Sequence, residues 1–94
     1  MKKTVSSGSC IILFEDNDNF AGKEVFMEGE RISKGFCISP ESISWLVFNE
    51  DRGMRQTKEI DDDMKEALLE YIIAEGAKQG FTFDMFVTPN TGCN

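Results

Sequence analysis

Hydrophobic residues along the chain fall into short segments of strand length, separated by polar segments that carry Asn, Asp, Gly or Pro. Apolar runs rich in isoleucine, valine and aromatic residues between such polar segments are typical of strands joined by turns. The segment 42–48 begins with polar–apolar alternation and ends in a continuous apolar run, so we expect it to lie centrally in a sheet. We expect a charged turn at 28–31 and a long, mobile loop at 49–59. Strands are predicted at 9–15, 23–27, 35–38, 42–48 and 81–87.

One segment has the periodicity of a helix instead. Between Met64 and Ile72, apolar side chains recur at spacings of three and four residues, which places them on one helical face. Asp61 precedes this segment and can accept hydrogen bonds from the first free N–H groups of a helix. Gly80 suits the left-handed residue just past a helix end, and Gly76 is a weak point that a helix tolerates.

The order strand, strand, strand, strand, helix, strand predicts an α+β fold. We expect a mainly antiparallel sheet of about five strands with one long helix packed on a face. No composition shift or linker divides the chain, so residues 1–94 are predicted to form a single domain. The polar segments 1–8 and 88–94 are expected to be flexible tails. The pattern leaves the pairing partner of the last strand open.

The charge balance is acidic. Ten Lys and Arg residues against seventeen Asp and Glu residues give a net charge of −7. Such a surface repels phosphate backbones and attracts basic proteins, so we expect no nucleic-acid binding. No apolar segment approaches the roughly 18 residues that a membrane helix needs. The polar residues after Met1 also lack the apolar stretch of a secretory signal. We therefore expect a cytoplasmic protein without membrane association.

Catalytic and metal-binding chemistry is poorly represented. The chain has no histidine, which excludes His-based triads and His-ligated metals. Its three cysteines, Cys10, Cys37 and Cys93, form no C-x-x-C pair, so reduced thiols are expected, with Cys10 and Cys37 in the core. The Asp16-x-Asp18 segment fails the calcium-loop template at three positions and is interpreted as a hairpin loop. We expect neither a cofactor nor a metal, and no enzymatic activity.

Six short motifs occur in an order that resembles a known family. They are Gly8-Ser9-Cys10-Ile11, Met27-Glu28-Gly29-Glu30, Gly35-Phe36-Cys37-Ile38, Ser42-Ile43-Ser44-Trp45, Ile60-Asp61-Asp62-Asp63-Met64-Lys65 and Gly80-Phe81-Thr82-Phe83. This ordered set covers residues 8–86 and resembles the small immunity proteins of bacterial polymorphic-toxin and contact-dependent growth-inhibition systems. The family often has prolines just after the tryptophan, where this chain has Leu46-Val47-Phe48.

The resemblance implies a non-enzymatic inhibitor that binds the toxic C-terminal domain of its cognate effector in the cytoplasm. Many such toxins are nucleases and therefore basic, so we expect acidic side chains around an apolar anchor to occlude the toxin's active site. The candidate partner-binding residues are Glu28, Glu30, Glu50, Asp51, Glu66, Glu70 and Trp45.

Alternatives to these assignments stay open. Glu66 and Glu70 are also consistent with a solvated helix face, and Trp45 with a core position. A non-enzymatic interaction or regulatory module that forms a homodimer through a sheet edge, or around Trp45, is the second functional hypothesis. A small enzyme that uses Cys37 or a carboxylate pair is the third, and the missing catalytic motifs disfavour it.

Overall fold

Residues 1–85, which the computed structural model describes, form a mixed seven-stranded sheet with one helix packed on it. This confirms the predicted α+β class. The helix α1 spans Asp62–Lys78, and a short 3-10 turn occupies Pro40–Ser42. The strands are β1 (Lys2–Val5), β2 (Ser9–Leu13), β3 (Glu24–Ile32), β4 (Gly35–Ile38), β5 (Ser44–Asn49), β6 (Met54–Glu59) and β7 (Thr82–Met85).

The long strand β3 organises the sheet. One edge of β3 pairs antiparallel with β2, which in turn pairs with β1. The other edge is shared, because β5 pairs with residues 24–26 and β4 pairs with residues 29–32. β6 extends the sheet beyond β5, and β7 runs parallel to β4 on its outer side. The partner of the last predicted strand is therefore β4.

The hydrophobic core lies between α1 and one face of the sheet. Alternate residues of β2 and β3, such as Ile12 and Val25, point toward the helix and are fully buried. Leu68 and Ile72 of α1 belong to the same buried cluster. In residues 1–85 no helix combines the length and hydrophobicity needed to cross a membrane.

Both predicted ends of the helix are confirmed. The carboxylate of Asp61 accepts a hydrogen bond from the backbone N–H of Met64 at 2.9 Å. Gly80, the second residue beyond Lys78, has a φ of +74°, the left-handed conformation that ends many helices.

Three segments differ from the sequence predictions. No strand was predicted before Ser9, and β1 forms there. The loop expected at 49–59 is wrong, because β6 occupies its second half and only residues 50–53 turn the chain. The charged turn expected at 28–31 is also wrong, because β3 continues through it to a turn at Ser33 and Lys34. The segments at 2–5 and 54–59 are mainly polar, and strands at sheet edges need little hydrophobic patterning. Residues 28–31 lie in the central strand β3, where pairing with β4 keeps a charged segment in the sheet. The predicted tail at 88–94 lies outside the described residues.

Candidate functional site

The sheet face opposite α1 carries large apolar side chains. Residues of β2, β3 and β5 that alternate with the core positions project to this face. None of them packs against the hydrophobic core, and within residues 1–85 no element covers them. Phe48 is 61 % exposed, and the others are half-buried. We call this surface the open face, and its apolar members are Ile11, Leu13, Phe26, Leu46 and Phe48.

Strand registers arrange the open face in rows across five strands. One row joins Lys2, Leu13, Glu24, Leu46 and Thr57. The next row joins Thr4, Ile11, Phe26, Ser44 and Glu59. Arg55 donates a hydrogen bond to Glu24 at 2.9 Å, and the pair borders a shallow depression of about 200 Å³ beside Ile11 and Leu13. The face therefore combines apolar side chains with a single ion pair between β3 and β6.

This composition is unusual for the solvated side of an antiparallel sheet. Such a side normally carries polar residues, because strands with one buried face alternate apolar and polar positions. A contiguous exposed apolar patch with a polar rim is typical of a protein-interaction surface. The open face has this arrangement, and it is the candidate functional site. The run Cys10–Phe14 was a sequence signal for this surface. Successive residues of a strand project to opposite faces, so five consecutive apolar residues place apolar side chains on both faces of the sheet.

Glu28 and Glu30 lie next to the open face. Both have the same strand parity as Phe26, so they project from the side of β3 that faces away from the helix. The backbone N–H of Glu28 donates to the hydroxyl of Ser42 at 2.7 Å, which ties this part of β3 to the 3-10 turn. Glu28 and Glu30 thus extend the apolar centre with exposed negative charge.

The remaining candidate residues are distributed over other parts of the molecule. Glu50 and Asp51 are exposed in the turn between β5 and β6, beyond Phe48. Glu66 and Glu70 are exposed on α1, on the opposite side of the sheet. The seven candidates therefore do not form one continuous surface.

Trp45 lies on the helix side of β5, not on the open face. It is half-buried, packs against the core and lies opposite Lys58 of β6. The Lys23 ammonium lies 5.1 Å from the centre of the indole ring, within range of a cation–π interaction. A groove of about 500 Å³ runs along this ring and Val47. Its charges are mixed, because two lysines and two glutamates belong to its lining, namely Lys23, Lys58, Glu24 and Glu59.

Asp18 and Tyr71 connect the β2–β3 loop to the helix. The Tyr71 hydroxyl donates to Asp18 Oδ1 at 2.5 Å, and the Asp18 side chain is only 5 % exposed. Burial alone would raise the pKa of Asp18. Hydrogen bonds from Tyr71, the amino group of Met1 and the backbone N–H of Glu15 outweigh this effect and lower the pKa from its ordinary value of 3.8. The contact explains Asp18 as a structural anchor.

The described thiols lie in environments that keep them protonated. Burial raises the pKa of Cys10 to about 11, and Cys10 occupies the core as predicted. The core prediction is wrong for Cys37, which is half-buried on the face of β4 away from the helix. Desolvation and the neighbouring carboxylates of Asp84 and Glu30 raise the pKa of Cys37. Within residues 1–85 no three side chains of the types that bind metals are arranged to hold an ion.

No protein-family model, curated protein or solved structure gives a significant match to this chain. The functional argument therefore depends on the geometry of the open face and on the charge of the molecule.

Proposed function

We propose that this chain is a non-enzymatic inhibitor of the immunity type, which binds a basic toxin domain through its open face. The observation that carries the proposal is the uncovered apolar surface formed by Ile11, Leu13, Phe26, Leu46 and Phe48. Full burial of a large apolar side chain contributes roughly 1.5–3 kcal/mol, so a few of these side chains supply the main part of a binding free energy.

The charge of the molecule supports a basic partner. The net charge is −7, and Glu28 and Glu30 border the apolar centre. Negative charge around an apolar patch accelerates the encounter with a basic protein and orients it before the apolar contacts form. In the proposed mechanism, the open face covers the substrate groove of the toxin in the cytoplasm and prevents access to its active site.

Growth rescue and affinity measurements test this proposal together. The C-terminal domain of the protein encoded directly upstream is the candidate toxin. It is expressed with and without this chain, and the purified pair is titrated by calorimetry. The informative variant is Phe48→Asp, and its matched control is Met54→Asp. Phe48 is 61 % exposed on the open face, whereas Met54 is 55 % exposed on the other side of the same hairpin. Both changes add one negative charge and remove one exposed apolar side chain.

We expect rescue of growth and a 1:1 complex with the unchanged chain. Phe48→Asp is expected to weaken binding at least about tenfold, which corresponds to roughly 1.4 kcal/mol, and Met54→Asp is expected to change it little. Equal effects of the two variants would contradict binding through the open face. A toxic domain that is neither bound nor neutralised would reject the inhibitor proposal for that pair. Rescue without a complex would point to enzymatic or indirect protection.

A further inference from the structure

β6 is a fully exposed edge strand. All six of its side chains are exposed, and in residues 1–85 it pairs with β5 alone. The outer edge of such a strand presents N–H and C=O groups that are available for pairing with another strand. β3 and β5 pair over only three residues, so the end of the β5–β6 hairpin extends beyond the rest of the sheet. A second chain has room to approach there.

We propose that β6 pairs antiparallel with β6 of a second copy, with Thr57 opposite the partner's Thr57. This inference goes beyond the inhibitor function, because it uses the sheet edge instead of the open face. The occupant is identified by the charge pattern of the strand itself, Met54-Arg55-Gln56-Thr57-Lys58-Glu59.

The pleat of the strand restricts the possible registers. Residues directly opposite each other in an antiparallel pair project to the same face of the sheet. A two-fold axis between two copies of β6 must therefore pass through a residue and not between two residues. Axes at Arg55, Lys58 or Glu59 would place each of these charges opposite itself, which is destabilising. An axis at Gln56 places Arg55 opposite Thr57 and gains no charge pair.

The axis at Thr57 is the favourable register. It places Arg55 opposite the partner's Glu59 at both ends of the paired segment, and Gln56 opposite the partner's Lys58. Opposite charges in such positions stabilise the pairing of two strands. Arg55 already donates to Glu24 at 2.9 Å within its own chain. A guanidinium has five N–H donors, so it can bind the second carboxylate without losing the first.

The local charge also permits two acidic molecules to meet at this edge. Residues 44–59 carry three acids and three bases, so 3 − 3 leaves the hairpin neutral although the whole chain carries −7. The axis is perpendicular to the sheet, so the open faces of both copies would lie on the same side. The dimer would present one continuous sheet with two open faces side by side.

Charge exchange tests the register. Sedimentation velocity over a concentration series measures the mass of the unchanged chain and of Arg55→Glu, Glu59→Arg and the double variant Arg55→Glu/Glu59→Arg. Arg52→Glu and Glu50→Arg are the matched controls, because they make the same charge changes in the hairpin turn outside β6. Circular dichroism verifies that each variant is folded.

The mass of the unchanged chain is expected to rise from 10.6 kDa toward twice that value as concentration increases. Each single variant is expected to stay monomeric at concentrations where the unchanged chain is dimeric, and the double variant is expected to dimerise again. Both turn controls should dimerise normally. A monomeric unchanged chain at all concentrations, or single variants that dimerise as well as it does, would overturn the proposal.

A cysteine cross-link gives a readout that does not depend on charge. In the proposed register, Thr57 lies opposite Thr57 of the second copy, whereas Lys58 lies opposite Gln56 of the second copy. Mild oxidation should convert Thr57→Cys to a disulfide-linked dimer several-fold faster than Lys58→Cys. Background cross-linking through the natural cysteines is the same in both variants. Reducing agent in the gel sample should convert the cross-linked dimer back to monomer. Equal cross-linking of the two variants would reject the register centred on Thr57.

Discussion

The hydrogen bond between Asp18 and Tyr71 is a long-range side-chain contact in a partly buried environment. It joins residues 53 positions apart and fixes the β2–β3 loop against the helix. Phe14 and Phe20 pack around the tyrosine ring, with ring centres 5.9 and 5.8 Å from it. A hydrogen bond to an ionised carboxylate beside these aromatic rings stabilises the folded state more than one between neutral groups.

We predict that Tyr71→Phe lowers the free energy of unfolding at pH 6, because Asp18 loses a hydrogen-bond donor. The folded-state pKa of Asp18 lies below its ordinary value of 3.8, so its contribution is complete above that value and is lost as the pH falls through the folded-state pKa. The difference between Tyr71→Phe and the unchanged chain should therefore shrink below about pH 4. Urea titrations from pH 3 to pH 7 measure it, and a constant difference across this range would contradict the assignment.

At the scale of elements, Gly76 sets the distance between α1 and β7. A Cβ at this position would lie 2.5 Å from Cδ2 of Phe83 and 2.8 Å from the carbonyl oxygen of Phe81. The backbone N–H of Phe81 also donates to the Gly76 carbonyl at 2.8 Å. The helix can approach the last strand this closely because Gly76 has no side chain. Gly76, which the sequence analysis described as a weak point of the helix, is therefore the position where the helix contacts β7.

Gly76→Ala is predicted to destabilise the protein by about 1–3 kcal/mol, because the methyl group overpacks the contact with Phe83. At an exposed helix position the same change would stabilise by up to about 1 kcal/mol. Ala77→Gly is the control, since Ala77 is exposed and should show only the propensity cost of about 1 kcal/mol. Thermal or urea unfolding measures the change in the free energy of unfolding. A Gly76→Ala variant that is more stable than the unchanged chain would contradict the close packing of α1 and β7.

The elements that the sequence predicted well are those with strong local signals. Asp61 and Gly80 marked the helix ends because capping and left-handed backbone are properties of a few neighbouring residues. β6 was missed because all six of its side chains are exposed and show no hydrophobic alternation, and β1 because Val5 is its only apolar residue. The run Cys10–Phe14 indicated a strand that is apolar on both faces, but the extent of the open face and the pairing of β7 depend on which strands become neighbours across long stretches of sequence.

At the scale of the whole molecule, the charges are unevenly placed. The helix carries five acids and two bases, so 2 − 5 gives it −3, whereas the β5–β6 hairpin is neutral. Glu28 and Glu30 lie on the other side of the sheet from the helix. In the proposed complex, the net negative charge of the whole molecule would attract a basic domain from a distance, and apolar side chains would make the contact at the open face.

We predict that salt slows association with a basic toxin domain much more than it accelerates dissociation. The Debye length falls from about 30 Å at 0.01 M to about 3 Å at 1 M salt, which screens the attraction between separated charges. Stopped-flow measurements should show the association rate constant falling on the order of tenfold between 0.02 M and 0.5 M salt. Phe48→Asp should mainly raise the dissociation rate constant. An association rate that does not respond to salt would remove the steering part of the mechanism.

The pairing of β7 with β4 affects how the chain is made. Translation completes β1 to β6 before any residue of the helix exists, and Thr82 joins Gly35 only at the end. An intermediate in which the sheet has formed but α1 and β7 have not yet docked is apolar on both faces of the sheet. Docking of these two elements therefore protects such an intermediate from aggregation.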